Sequence, residues 1–181
     1  MSTVGEDALR AAFKSQYRSA LAMLRDAVEQ CPDELWDDPS FKNRFWQVAY
    51  HALFFTHLYL QPRLEDFEPW SGHQSEVQHD DGIAGPPDPD SDLPLIPEPY
   101  SKGAVLEYSS FCQDRVDDWV DALDFGSPES GFHWYPVPKL EHQLVNLRHV
   151  QHHTAQLADR LRRELDAGVR WVGSRRPLPD G

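Results

Sequence analysis

The sequence predicts an all-α protein, a four-helix bundle with a long irregular crossover between its second and third helices. Three observations support this class. Four long segments repeat their apolar residues with the 3.6-residue period of a helix, no segment shows a strand pattern, and a proline-rich segment separates the two helical pairs. The 181 residues suffice for one domain with its own core, so we expect a single domain over 1–181.

The first two predicted helices cover about residues 4–30 and 42–60. Thr3 and Glu6 have capping-box spacing at the start of the first helix, and Pro32 closes it. In the second helix, 12 of the 16 residues from Phe45 to Leu60 are hydrophobic. Such a helix is buried on most sides, so a polar residue on it needs a partner.

The predicted crossover, residues 61–100, holds eight of the fifteen prolines and ten acidic residues. This composition favours neither helix nor sheet. A loop of this length inside a compact domain is usually a crossover or functional, and we expect it to shape the entrance of a site. Apolar side chains that can hold it against the domain are Phe67, Trp70, Ile83, Leu93, Leu95 and Ile96.

The last two predicted helices begin at capping residues. Ser101 is placed to cap the third helix, which Gly126 would stop, and Pro138 suits the start of the fourth, which Gly168 would end near residue 167. The bundle then covers about 4–167, with a tail at 168–181. The residues expected to face inward from the fourth helix are Leu140, Leu144, Leu147, Val150, Thr154, Leu157, Ala158, Leu161 and Leu165.

Charge and cysteine content restrict the partners and the compartment. A net charge of −13 repels phosphate backbones and anionic lipid, which excludes nucleic acid and membrane surfaces as expected partners. The uncharged segment 47–62 is short for a bilayer and predicts a buried helix. Two cysteines are too few for a disulfide framework, and the first residues do not form a signal peptide, so we expect a cytoplasmic protein.

Three histidines form the candidate site. His149 and His153 are four residues apart, which places both imidazoles on one helix face, and His51 lies within the apolar second helix. Three imidazoles can hold one metal ion and leave a position for water or substrate. The alternatives are a core histidine hydrogen-bonded to a hydroxyl or carbonyl for His51, and an ordinary polar flank for the pair. His152 projects among charged residues, so we expect it to be exposed.

The other candidates carry less chemistry. His57 is about 240° around the helix from His51 and cannot share its ion. His73, His79 and His133 are expected to be exposed in loops. Glu76 and His79 have the Glu-x-x-His spacing of di-iron bundles, but such sites need two copies on bundle helices. Packing is the expected role of both cysteines, Cys31 and Cys112.

The aromatic-rich segment 50–55 around His51, together with the His-x-x-x-His-x-x-Gln segment from His149 to Gln156, resembles the DinB/YfiT-like superfamily over residues 7 to about 167. The resemblance implies a four-helix bundle in which His51, His149 and His153 hold one divalent metal ion, with Zn or Ni expected. It further implies a metal-dependent enzyme with thiol S-transferase or isomerase chemistry that uses a low-molecular-weight thiol such as bacillithiol or mycothiol. A small-molecule substrate and a homodimer are the implied partners.

Two other interpretations stay open. One is a non-catalytic metal-binding or stress-response protein with a structural or vestigial metal, which a fourth protein ligand such as His142 would indicate; the other is a bundle without metal. In the enzyme interpretation, hydrogen-bond partners must hold the remaining imidazole nitrogens. The candidates by position are Asn146, Gln156, Tyr50 and Tyr108, and the candidate apolar walls for a substrate are Phe54, Trp46 and Tyr108.

Overall fold

The computed structural model describes residues 5–74, 77 and 98–175. Within them the chain forms helices α1 (Glu6–Gln30), α2 (Asp33–Trp36, one turn), α3 (Phe45–Tyr59), α4 (Lys102–Ala122) and α5 (Lys139–Leu165), with a 3₁₀ turn at Leu64–Asp66 and no strand. The predicted all-α class is therefore confirmed. Among these residues, no helix has both the length and the apolar character needed to cross a bilayer.

The four long helices form a ring in which α1 and α3 lie diagonally opposite, each beside both α4 and α5. Helices α1 and α5 run in the same direction. Tyr17 Oη, midway along α1, donates to Gln143 Oε1 at 2.7 Å near the start of α5, and Gln30 Nε2, in the last residue of α1, donates to the Gly168 carbonyl oxygen beyond the end of α5. Helix α3 runs opposite to α5, because Gln143 Nε2 donates to the carbonyl oxygen of Tyr59, the last residue of α3.

Helices α3 and α4 are parallel neighbours. Trp46 and Tyr100 meet at one end, with ring centroids 6.1 Å apart, and His57 stacks on Trp119 at the other, at 4.5 Å. The direction pattern is therefore up, down, down, up for α1, α3, α4 and α5. A parallel pair that is consecutive in the chain needs a long return connection, so the predicted crossover is confirmed.

The helix ends agree only partly with the sequence signals. Ser101 caps α4 as predicted, since its Oγ accepts a hydrogen bond from the Ala104 backbone N–H at 3.1 Å. Gly126 does not end α4, which stops at Ala122, and α5 ends at Leu165 rather than at Gly168. Asp166 adopts the left-handed conformation at that end, with φ of 51°, a role more often taken by glycine. Thr3 lies outside the described residues, and α1 begins after Gly5.

The N-terminal half of α5 buries a different face from the one predicted. Leu144 is 52 % exposed and Leu140 is also exposed, as is Leu165 at the other end of the helix. Gln143 and Asn146 are fully buried instead. Both amides are hydrogen-bonded to α3, Gln143 to the Tyr59 carbonyl oxygen and Asn146 Nδ2 to the Thr56 carbonyl oxygen at 3.3 Å. These partners make polar residues acceptable in the core, so this part of the apolar-face prediction is wrong.

The described ends of the crossover pack onto the α3–α4 side of the bundle. Phe67 lies edge-on to the rings of Phe54 and His57, and Trp70 stacks on Tyr108 with centroids 4.8 Å apart. Two of the expected anchors are thus in place. The others, Ile83, Leu93, Leu95 and Ile96, lie outside the described residues.

The start of the crossover is tied to the loop between α4 and α5. Lys139 Nζ, almost fully buried, donates to the carbonyl oxygens of Pro62, at 2.7 Å, and Ser130. Gly131 has φ of 86°, and a side chain there would collide with the Pro62 carbonyl oxygen. Glycine is therefore required for this close approach. The contact closes the end of the bundle at which α3 ends and α5 begins.

Candidate metal centre

Helices α3 and α5 bring the three predicted histidines together. His51 and His153 are 5 % and 1 % exposed, and His149 is half-buried. The Nε2 atom of His149 lies 3.1 Å from Nε2 of His51 and 3.1 Å from Nε2 of His153. One possible ligand atom from each residue lies within 4.8 Å of the other two. The i, i+4 spacing and the antiparallel packing of α3 against α5 thus converge three imidazoles on one point.

The protonation of these rings favours a cation between them. His153 Nδ1 lies 2.9 Å from Gln156 Oε1, an acceptor, so Nδ1 carries the proton and Nε2 of His153 presents a lone pair. His149 Nε2 faces two other Nε2 atoms, and one N–H cannot donate to both at full strength. Four-coordinate metal–nitrogen bonds of about 2.0–2.1 Å place ligand atoms about 3.3–3.4 Å apart. The two separations of 3.1 Å that His149 makes are close to that value.

Burial keeps the imidazoles of His149 and His153 in the neutral form that binds metals. It lowers the pKa of His149 to about 3, and the neighbouring His153, His51 and His152 add to the shift. Burial also lowers the pKa of His153, although the hydrogen bond that its Nδ1–H donates to Gln156 raises it in part. Neutral imidazoles have a lone pair to donate, so no proton has to be displaced at neutral pH before an ion binds.

One side of the cluster reaches the surface. His149 borders a depression of about 460 Å³ whose other lining residues are Val145, Arg148, Gln151 and His152. Phe55 covers another side, with its ring centroid 4.6 Å from that of His51 and 5.6 Å from that of His149. The site therefore combines buried donor atoms with an approach from solvent past His149.

The comparison with known families agrees with this geometry. A family model described as the DinB superfamily matches residues 16–157. The chain belongs to the DinB superfamily. The matched range contains His51, His149 and His153 and most of the bundle. No curated protein and no solved structure matches the chain.

Only one of the four predicted hydrogen-bond partners contacts the three-histidine cluster. Gln156 holds His153 as described above. Asn146 donates to the Thr56 carbonyl oxygen, Tyr50 Oη lies 2.6 Å from His73 Nδ1, and Tyr108 Oη lies 3.0 Å from His57 Nδ1. Of the four candidates, position along the helix therefore identified only Gln156, which lies three residues from His153 on α5.

The predicted apolar walls need the same correction. Trp46 and Tyr108 are fully buried in the core, and Phe54 packs against Phe67 and His73 on the crossover side. Phe55 is the aromatic residue beside the imidazoles, and the sequence interpretation did not single it out. Its spacing of four residues from His51 was the available signal, because such residues share a helix face.

His142 is not a fourth ligand. It precedes His149 by two turns of α5, about 10 Å along the helix axis. Its fully buried ring packs against Tyr59, Phe132 and Tyr135, with centroids 4.8–5.0 Å away. Both ring nitrogens are buried, and no described residue bonds to them. Within the described residues, the candidate metal group contains His51, His149 and His153 alone.

The remaining histidines differ in exposure. His133 and His152 are exposed, as predicted. His57 is a buried core residue, and burial lowers its pKa to about 4. His73 is half-buried against Tyr50 rather than exposed, which corrects the loop prediction. His79 and Glu76 lie outside the described residues.

Proposed function

We propose that the protein binds one divalent metal ion through Nε2 of His51, His149 and His153, and that it is a metal-dependent enzyme transferring a low-molecular-weight thiol to an electrophilic small molecule. The observation that carries this proposal is the convergence of three imidazoles beside a surface opening. Three protein ligands leave a coordination position for a substrate, as in catalytic rather than structural zinc sites.

The donor set fits Zn²⁺ or Ni²⁺, since imidazole nitrogen suits both ions. When bound, such an ion lowers the pKa of a coordinated thiol, so that a thiolate is present at neutral pH. The roles of the chain are to hold the donors and admit the reactants. Gln156 fixes the orientation of the His153 ring, Phe55 offers an apolar surface beside His51, and the solvent-facing edge of His149 is the entrance.

The competing function is non-catalytic metal binding. The shallow depression beside His149 favours it, because four of its five lining residues lie on the outer face of α5 and two of those, Arg148 and His152, are exposed. Catalytic pockets generally enclose most of a small ligand. A structural or vestigial metal would need only the imidazoles and not the opening.

A conjugation assay separates the two functions. Metal-loaded protein is incubated with a panel of low-molecular-weight thiols, including bacillithiol and mycothiol, and with monochlorobimane as a fluorogenic electrophile. We expect conjugation above the background rate with at least one thiol. His149→Ala should abolish this rate, and His133→Ala, an exposed histidine outside the depression, should retain it. Full metal occupancy without a rate for any thiol would favour the binding protein.

A further inference from the structure

The segment that follows α5 lies along the outer face of α1, opposite the bundle core. The Arg170 backbone N–H donates to Asp26 Oδ2 at 3.0 Å, and the Arg175 backbone N–H donates to Ser15 Oγ at 3.1 Å. Ser15 is only 1 % exposed although it is polar and faces away from the core. Side chains of α1 thus hold residues 168–175, which we call the tail strap, at both ends.

A cavity of about 290 Å³ lies between the tail strap, α1 and α4. Three arginines line it, Arg25 from α1 and Arg170 and Arg175 from the tail strap, and Gln113 lines it from α4. This is a local concentration of cations in a chain of net charge −13. Two carboxylates, Asp26 and Glu29, also line the cavity, so its lining has one more cation than anions. Acidic residues farther away act weakly here, because screening limits charge interactions to about 8 Å at physiological ionic strength.

Inside this tail cavity the two carboxylates each accept a hydrogen bond, whereas several side-chain donors have no partner among the described residues. Its two carboxylates are engaged, Asp26 by the Arg170 backbone N–H and Glu29 by Arg25 Nε at 2.7 Å. Among the described residues, the guanidinium groups of Arg170 and Arg175 have no hydrogen bond or ion pair. Gln113 Nε2 is buried, and no described group accepts from it. A buried amide donor in this state indicates a ligand or ordered water that accepts from it.

We propose that the tail cavity binds the phosphoryl group of a small metabolite. Guanidinium groups pair with phosphate oxygens through two parallel hydrogen bonds. The donors line the cavity from two sides, the tail strap and α4, which suits a tetrahedral oxyanion better than a planar carboxylate. The volume is near the lower end of ligand pockets, about 300–1,000 Å³, so the ligand is small. This site is independent of the three-histidine cluster and of the function proposed for it.

The test uses inorganic phosphate titrated into the full chain by isothermal calorimetry, at an ionic strength held constant with chloride. The protein is first treated with chelator, because a metal at the histidine cluster would itself bind phosphate. We expect saturable binding of one phosphate per chain. Arg170→Gln combined with Arg175→Gln should weaken it at least about tenfold, since both charge-assisted hydrogen bonds from the tail strap are lost.

The matched control combines Arg162→Gln with Arg163→Gln, two exposed residues at the end of α5. It changes the net charge equally and should leave phosphate affinity within about twofold. Gln113→Leu should weaken phosphate binding several-fold without altering the tail strap. If the double arginine variant loosens that segment, the affinity of Gln113→Leu tests the proposal instead. Absence of saturable binding, equal losses in the control, or succinate binding as tightly as phosphate would overturn the proposal.

Discussion

At the scale of single residues, Gln156 sets the chemistry of the site. It is exposed, yet its Oε1 atom accepts from Nδ1 of the nearly buried His153. This bond selects the tautomer whose Nε2 lone pair points at the other two imidazoles. Partners of this kind fix ring orientation and increase the basicity of the ligand.

Replacing Gln156 with Leu should therefore weaken metal binding about 10–100-fold, the usual cost of losing such a partner. Stability of the metal-free protein should change little, because the side chain is exposed. Competition with a chromophoric chelator measures the affinity. Gln151→Leu, the same chemical change about one and a half turns earlier in α5 and outside the hydrogen bond, is the control. Equal affinities in the two variants would exclude this role for Gln156.

His142 shows a different consequence of burial. Burial, with a contribution from Lys139, lowers its pKa to about 4, whereas an imidazole in the unfolded chain titrates near about 6.5. Between these two values the unfolded state binds more protons than the folded state. Stability contributed by this residue is therefore complete above about pH 6.5 and is lost as the pH falls towards 4.

We expect the free energy of unfolding to fall by up to about 2 kcal/mol between pH 7 and pH 5 through this one group. His142→Phe should keep its stability near the wild-type value at pH 7. An apolar ring among aromatic neighbours then replaces two buried nitrogens to which no described residue bonds. The variant should also reduce the pH dependence of the free energy of unfolding. Urea unfolding at both pH values measures this. A variant that loses more than about 2 kcal/mol at pH 7 would mean that those nitrogens are satisfied.

At the scale of elements, α5 shows what a sequence can and cannot predict. Its existence, its approximate bounds and the shared face of His149 and His153 followed from periodicity. Its buried face near the N-terminus did not, because Gln143 and Asn146 are buried only through partners on other helices. A hydrophobic pattern contains no information about such partners. The contact of His51 with His149 likewise depends on how α3 packs against α5.

The corrected face of α5 makes a paired prediction about stability. Leu144→Gln should cost less than about 0.5 kcal/mol, because the side chain is 52 % exposed. Leu157→Ala, at a fully buried position of the same helix, should cost about 2–5 kcal/mol. Denaturant unfolding of the two metal-free variants compares them directly. Similar losses of stability at the two positions would mean that Leu144 is buried, as periodicity predicts.

At the scale of the whole molecule, the candidate metal site and the core are distinct. The cluster joins only α3 and α5, whereas the core is continuous across all four long helices. The up, down, down, up order also depends on contacts far from the cluster, such as those of Tyr17 with Gln143. The fold therefore needs no ion to define it, although an ion that binds only the folded state stabilises it.

Chelation should lower the melting temperature without unfolding the protein. An ion at 100 times its dissociation constant contributes about 2.7 kcal/mol, which corresponds to roughly 5–10 °C for a chain of this length. Calorimetry of the metal-loaded protein with and without chelator measures the shift. His153→Ala should melt at the same temperature under both conditions. Complete unfolding on chelation would mean that the metal is part of the structural core.

The most direct test of the central claim is the metal content of the protein purified without a metal-binding tag and reconstituted with Zn²⁺ or Ni²⁺. Elemental analysis should find about one ion per chain in the wild type, since three imidazoles form one mononuclear site. His51→Ala, His149→Ala and His153→Ala should each lose that ion, and His152→Ala should retain it. Full occupancy after the loss of His153, or a wild-type protein that binds no ion, would contradict the account.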